Sequence, residues 1–282
     1  MRNGLLIALA FVVAGFTACK HGGGNDRKIT IAYVNWAEGI ALTQLAKNLL
    51  EKKGYTVTLK NADVAPVFAA VAGGDADVFM DTWMPATHKD YMDNFGSKVT
   101  ILNTNFDGAK TGLVVPDYVN INSIEELNAA KKHFGGKIIG IDAGAGIMSK
   151  TQDAIKTYHL DLQLQSSSEA AMMATLKKCI DEMQPIVITG WAPHWMFARY
   201  KLHFLEDPLN TFGSEEKILT IANNEFSVRD TVAVNFFRKF QLNSQQLGSL
   251  MGSLADADGK EDAVIERWTW ENAEWIKNMA QD

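Results

Sequence analysis

Three tryptophans stand in three short strings with a common setting: Trp36 in AYVNWAEG, Trp83 in DTWMPATHK and Trp191 in VITGWAPHW. Each follows a run that reads as a buried strand, namely Ile29–Val34, Asp77–Met80 and Ile186–Thr189. Large aromatics just past strand ends are what a chain needs to wall a pocket at the mouth of an open α/β sheet. Indole faces attract an organic cation, and above all a quaternary ammonium, which has no N–H to offer an acceptor. Such contacts contribute about 0.5–1 kcal/mol each when exposed and ~2 kcal/mol or more when desolvated. Three around one head therefore amount to several kcal/mol, before the cost of association.

A zwitterion with a trimethylammonium head also needs donors for its carboxylate. Asp142-Ala143-Gly144-Ala145-Gly146-Ile147 falls between a strand and a helix, with glycines where backbone must approach a ligand. A helix N-terminus presents unpaired N–H groups and a dipole that favours an anion, which selects Gly146 and Ile147. His88, five residues after Trp83, adds a side-chain donor from the other side. Glu38 and Asp81 stand close enough in sequence to act behind the tryptophans, and His194 to hold the loop that presents Trp191. Trp195 reads as core.

The elements that must position these residues alternate strand and helix, which implies βαβ units and a mostly parallel sheet. A helix near Ile40–Lys52 carries an apolar face and stops at Gly54; Tyr55–Leu59 is a strand. Asp63 opens a short helix that ends at Gly73-Gly74. A second block follows. It has a short strand at Leu113–Val115, a capping box at Ser123 that opens a helix toward His133, and strands at Lys137–Ile141 and Leu162–Gln165. Helices run from Gly146 to about Tyr158 and from Glu169 to about Met183. From about Ser227 the pattern is helical, with Val264, Trp268, Glu271 and Trp275 at roughly heptad spacing. Trp268 and Trp275 read as packing residues and Trp270 as a surface one. The expected architecture is an α/β, two-lobe fold, each lobe an open sheet flanked by helices, with a helical C-terminal tail packed on the first lobe. The segments divide as lobe 1 (28–108 plus 214–282) and lobe 2 (109–213), so the chain crosses twice and makes a hinge.

Four strings, AYVNWAEGIA, DADVFMDTWMPATHKDY, GIDAGAGIM and VITGWAPHWMFARYKLHFLEDP, resemble those of the glycine betaine-binding proteins of ABC transporters, the OpuAC-like family. The resemblance runs through most of residues 28–225 and weakens in the tail. It implies a tryptophan prism at Trp36, Trp83 and Trp191, with carboxylate contacts from His88 and the amides of Gly146 and Ile147. It also implies a receptor that hands glycine betaine, and as a second candidate proline betaine, to a membrane ABC permease, without making or breaking a bond. Choline has a hydroxyl where betaine has a carboxylate, and carnitine a longer tail; both remain alternatives of the same fold.

Other classes are poorly supported. A metal receptor would suit His88, His194 and Asp81, but no histidine pair has ligand-like spacing and soft donors are absent. There is no G-x-S-x-G elbow, P-loop or complete G-x-G-x-x-G, and no cofactor is implied. The chain carries 27 basic and 33 acidic residues with no basic stripe, which argues against nucleic acid.

Residues 1–18 read as a signal peptide, with Arg2 followed by the apolar run Leu5–Phe16. Phe16-Thr17-Ala18-Cys19 resembles a bacterial lipobox, although Phe16 stands where that pattern usually has leucine. Cys19 would then be lipidated, and 19–27, polar and glycine-rich, would tether an extracytoplasmic body to a bacterial membrane. Only Cys179 remains beyond Cys19, so the body has no partner for an internal disulfide. Cys19→Ala is expected to release the protein from the membrane fraction; unchanged attachment in a fractionation blot would refute the lipobox reading.

Overall fold

A computed structural model describes residues 27–280. The leader, Cys19 and the tether up to residue 26 lie outside the described residues. The first βαβ units comprise β1 (Lys28–Tyr33), α1 (Ala37–Lys52), β2 (Thr56–Asn61), α2 (Val64–Gly73), β3 (Val78–Met84) and α3 (Lys89–Phe95). The long strand β4 (Val99–Pro116) leads to α4 (Leu127–Ala130), β5 (Lys137–Ile139), α5 (Gly146–Thr157), β6 (Gln163–Gln165), α6 (Glu169–Asp181) and β7 (Ile188–Ala192). After α7 (Met196–Arg199) come β8 (Leu202–Phe204) and β9 (Glu216–Asn223). The tail is α8 (Phe226–Arg229), α9 (Thr231–Lys239), α10 (Ser244–Ala255), α11 (Glu261–Glu271) and α12 (Ala273–Ala280).

The strands lie in the order β2-β1-β3-β9-β4-β7-β5-β6, with β8 pairing β4 at the side. Two lobes arise because β4 changes partners along its length. Its residues Val99–Ala109 pair with β9, and Lys110–Pro116 pair with β7 and β8. The 18-residue strand thus belongs to both halves, and the return from β8 to β9 is the second crossing. The expected strand Leu113–Val115 is only its last segment. β8 and β9 have no counterpart in the alternation read from the sequence. The sheet is accordingly mixed: β1 pairs in parallel with β2 and β3, and β5 with β6 and β7, whereas every ladder of β4 and β9 is antiparallel. Strands that cross between lobes and come straight back must run antiparallel to their neighbours, because no crossover helix separates them.

Local rules account for most element ends. On α1, Leu42, Leu45, Ala46 and Leu49 recur at three- and four-residue intervals and are buried together. The chain leaves α1 through Gly54 and α2 through Gly74, both at positive φ where a side chain would be strained. Ser123 forms the expected capping box, but it opens a single 3₁₀ turn and the short α4 instead of a long helix. Two strands run further than the sequence suggests. β3 continues to Met84 and β7 to Ala192, so Trp83 and Trp191 lie within the last residues of their strands, not beyond them. Trp36 alone follows its strand, at the N-cap of α1.

The tail packs on the first lobe. α10 and α11 lie against α1, and α9 lies against β4. Glu266 accepts hydrogen bonds from Asn48 (2.8 Å) and Lys52 (2.9 Å). The heptad-like run is two helices, broken at Asn272, and Trp268 meets Trp275 edge to face at 5.9 Å. Among the described residues no helix is long and apolar enough to cross a membrane. Trp268 is 1% exposed and Trp270 80%. Trp268→Ala should therefore cost about 3–5 kcal/mol of stability. Trp270→Ala should stay within about 0.5 kcal/mol. Denaturant unfolding of both variants checks the contrast.

Candidate functional site

Three indoles and three carboxylates organise the space between the lobes. Trp36 and Trp83 come from the β1–β3 side and Trp191 from β7, and all three are buried. Each indole N–H is taken by an acid. Trp83 Nε1 donates to Asp81 Oδ1 at 2.8 Å, Trp191 Nε1 to Glu38 Oε2 at 2.7 Å, and Trp36 Nε1 to Asp142 Oδ2 at 3.4 Å. The bonds of Trp36 and Trp191 cross between the lobes. An indole whose edge is pinned in this way turns a fixed face to the space beside it.

The pocket so formed encloses about 290 Å³ of non-protein space, part of it open to solvent. Trp36, Trp83, Trp191, His88, Gly146 and Ile147 all line it, so the structure brings the six residues chosen from the sequence into one place. Glu38 lines it as well, and Asp81 and Asp142 stand directly behind it. Sequence reasoning did not single out Thr87, Ile141 or Ala145, which also line it, nor Thr111. Thr111 sits on β4 opposite Trp191 in the ladder, and its buried hydroxyl has no partner among the described residues. Nothing local distinguishes Thr111 from any strand threonine; only the pairing register aims it here.

His88 is held as a neutral donor. Its Nδ1 accepts the Trp83 backbone N–H at 3.0 Å, which leaves the ring proton on Nε2. That Nε2 is buried and unpartnered among the described residues. Burial pushes the imidazole down to about 3, so the ring is uncharged at any physiological pH. The loop that carries it is clamped from β9. Glu216 accepts the N–H groups of Ala86 (2.9 Å) and Thr87 (2.8 Å) as well as the Thr87 hydroxyl. Opposite, Gly146 and Ile147 open α5, where backbone N–H groups precede the first intrahelical acceptor and Ala145 supplies no side-chain cap. Gly146 is required by contact: a Cβ there would lie 2.0 Å from the Thr87 carbonyl oxygen.

His194 sits behind Trp191, edge to face at 4.8 Å. Its Nδ1 accepts the Met196 N–H at 3.0 Å, and Nε2 faces Glu169 Oε1 at 3.1 Å. Two tryptophan–proline strings thus end in a histidine whose Nδ1 is tied to backbone, one in each lobe. Trp195 is half-buried beneath Arg199 and takes no part in the pocket. Among the described residues no group of three or more potential ligands could hold a metal.

The fold and the site define a two-lobe solute-binding protein, with one pocket walled from both lobes. The chain belongs to the OpuAC family, the substrate binding domain of the ABC-type glycine betaine transport system, whose model matches residues 27–271. Members bind a solute and are not enzymes. Lactococcal OpuAC, in its closed-liganded conformation with glycine betaine, superposes with a TM-score of 0.85 at 32% identity, over 91% of this chain and all of that one. The glycine betaine/L-proline-binding protein ProX of Borrelia burgdorferi gives 0.87 at 32% identity, over 90% of this chain and 97% of that one. The glycine betaine/carnitine transport binding protein GbuC of Listeria monocytogenes is 42% identical over 156 residues, 53% of this chain. The chain spans about half the length of that curated relative, 49%.

Two carboxyls in the site are poised against their surroundings. Burial raises Glu38 well above the usual carboxylate range, and the nearby Asp81 and Glu169 add to it. Burial raises Asp81 too, with Glu169 adding and the Trp83 bond opposing. The unfolded chain releases these protons at ordinary carboxylate pH while the folded chain keeps them, so their stabilisation is lost as pH rises through the raised values. Asp81→Asn keeps an acceptor for Trp83 without the charge. Its melting temperature in the absence of ligand should gain on wild type as pH rises from about 4 to 8, by about 2–4 °C per kcal/mol. A gap that stays constant with pH would contradict the assignment.

Proposed function

We propose that this chain is the extracytoplasmic receptor of an ABC importer and binds glycine betaine, with proline betaine as a second candidate, between its lobes. The observation that carries the reading is the pocket's polarity. Three pinned indole faces and the buried acids suit a cation without N–H groups. The neutral His88 Nε2–H, the amides of Gly146 and Ile147 and the Thr111 hydroxyl suit a carboxylate. The two ends together describe a short zwitterion. Choline would leave the donors at the anionic end without a charged partner, and that costs affinity.

Residues 28–108 with 214–282 form one lobe in this reading and 109–213 the other. The partner switch of β4 at Ala109–Lys110 supports that division. A ligand touching both lobes shifts them toward the closed state by as much as its affinity differs between states. The membrane permease would read the closed pair of surfaces. Cys19, lipidated, would keep the receptor at the membrane.

Calorimetric titration with glycine betaine, proline betaine, carnitine and choline tests the assignment. One-to-one binding of glycine betaine, choline weaker by tenfold or more, is expected. Trp83→Ala should weaken betaine by about 2 kcal/mol, roughly 30-fold, if its face meets the desolvated cation. His88→Ala should weaken betaine but hardly change choline. Tighter choline than betaine would overturn the anionic end of the site, and no heat with any quaternary ammonium would overturn the function.

A further inference from the structure

Glu169 makes a contact that the pocket does not require. It is the first residue of α6, in the second lobe, and is 8% exposed. Its own helix is capped by Ser168, whose hydroxyl accepts the Ala171 N–H at 3.2 Å. Both Glu169 oxygens are therefore turned elsewhere. Oε1 receives His194 Nε2 at 3.1 Å, within the same lobe. Oε2 receives the backbone N–H of Ala37 at 3.0 Å, across the cleft.

Ala37 is the first residue of α1, the 16-residue helix that starts at Trp36 and carries Glu38. Trp36 occupies the N-cap position but provides no side-chain cap. α1 thus begins without a cap from its own lobe, and its exposed N–H groups and positive dipole end face a carboxylate belonging to the other. The carboxylate lies between the N-terminal ends of two helices and is steadied by a histidine from its own side. Glu169 does not line the pocket. Another cross-lobe bond without a pocket side chain, Tyr91 Oη to the Gly144 carbonyl at 2.8 Å, is solvent-exposed, whereas the bond from Ala37 to Glu169 is part-buried.

We infer that Glu169 is a positioning residue that latches the closed lobes by capping α1 across the cleft, with His194 holding its carboxylate ready, and so sets how long a ligand stays without touching it. Opening the cleft removes the cap from α1 and returns both groups to water. Closure restores the part-buried bond from Ala37. The latch acts on the closed state alone, so it slows escape and leaves entry unchanged. The same helix start carries Trp36 and Glu38, so the cap also fixes two residues of the cage at the moment of closure.

The inference rests on the betaine reading of the pocket. Its test is stopped-flow tryptophan fluorescence on the full-length protein, with glycine betaine and proline betaine as ligands. Glu169→Ala should speed dissociation of both by the same factor, about tenfold or more, with association within about twofold. Glu169→Gln should recover part of the loss, because its amide oxygen can still accept from Ala37 while its NH₂ group meets the His194 donor. Unchanged dissociation in Glu169→Ala would overturn the latch. So would losses that differ between the two ligands, which would place Glu169 on the ligand itself. A purely structural role would lower the melting temperature without the selective change in dissociation or the recovery by glutamine. If wild type binds no betaine, the reading of the pocket fails and the latch is judged by small-angle scattering. A larger radius of gyration in ligand-free Glu169→Ala than in wild type supports it, and equal radii overturn it.

Discussion

The site depends on one interaction made three times, an indole N–H donated to a carboxylate that is buried at Asp81 and Glu38 and half-buried at Asp142. A tryptophan side chain is large and apolar except at one atom, and that atom decides where the ring can sit in a dry interior. Asp81, Glu38 and Asp142 each take one such proton, and the rings are fixed by where their acceptors stand. The acids are costly on their own. Burial raises Glu38 and Asp81, and Asp81 Oδ2 has no partner among the described residues. Stability alone would favour apolar residues in their place. Their presence fixes the edges of Trp83 and Trp191, which apolar residues could not do.

The two lobes are joined by the same elements that shape the pocket. β4 gives its first half to one ladder and its second to another, and Thr111, just past the change, faces Trp191 in register. β9 returns beside it and starts with Glu216, which clamps the loop carrying Thr87 and His88. The crossing segments are therefore also the frame of the Thr87, His88 and Thr111 side of the pocket. Across the cleft, Gly146 approaches the Thr87 carbonyl so closely that no side chain could stand there.

Much of this was legible in the sequence, for identifiable reasons. The α/β alternation is written in apolar periodicity and in turn glycines such as Gly54 and Gly74, both at positive φ. The tryptophans announced themselves by standing beside turn residues or a histidine at the ends of apolar runs. Gly146 and Ile147 followed from the rule that helix starts bind anions. Where the reading fell short, a longer-range partner had won. β3 and β7 extend through their tryptophans because β9 and β4 pair with them there. β9 pairs with β3 although the elements just before it, α5 to β8, build the other side of the cleft.

The sequence by itself determined which residues could make a cationic cage and an anionic end, because residue type and local turn chemistry act over a few positions. It did not determine the couplings between them. Trp191 and its acceptor Glu38 are 153 residues apart, Glu169 and Ala37 132, Trp36 and Asp142 106. No periodicity carries information over such a span. Those pairs exist only because two lobes, built on one shared strand, fold their helix starts toward each other across a cleft. In that arrangement a carboxylate is shielded enough from water for a single hydrogen bond to fix an indole or hold a helix end.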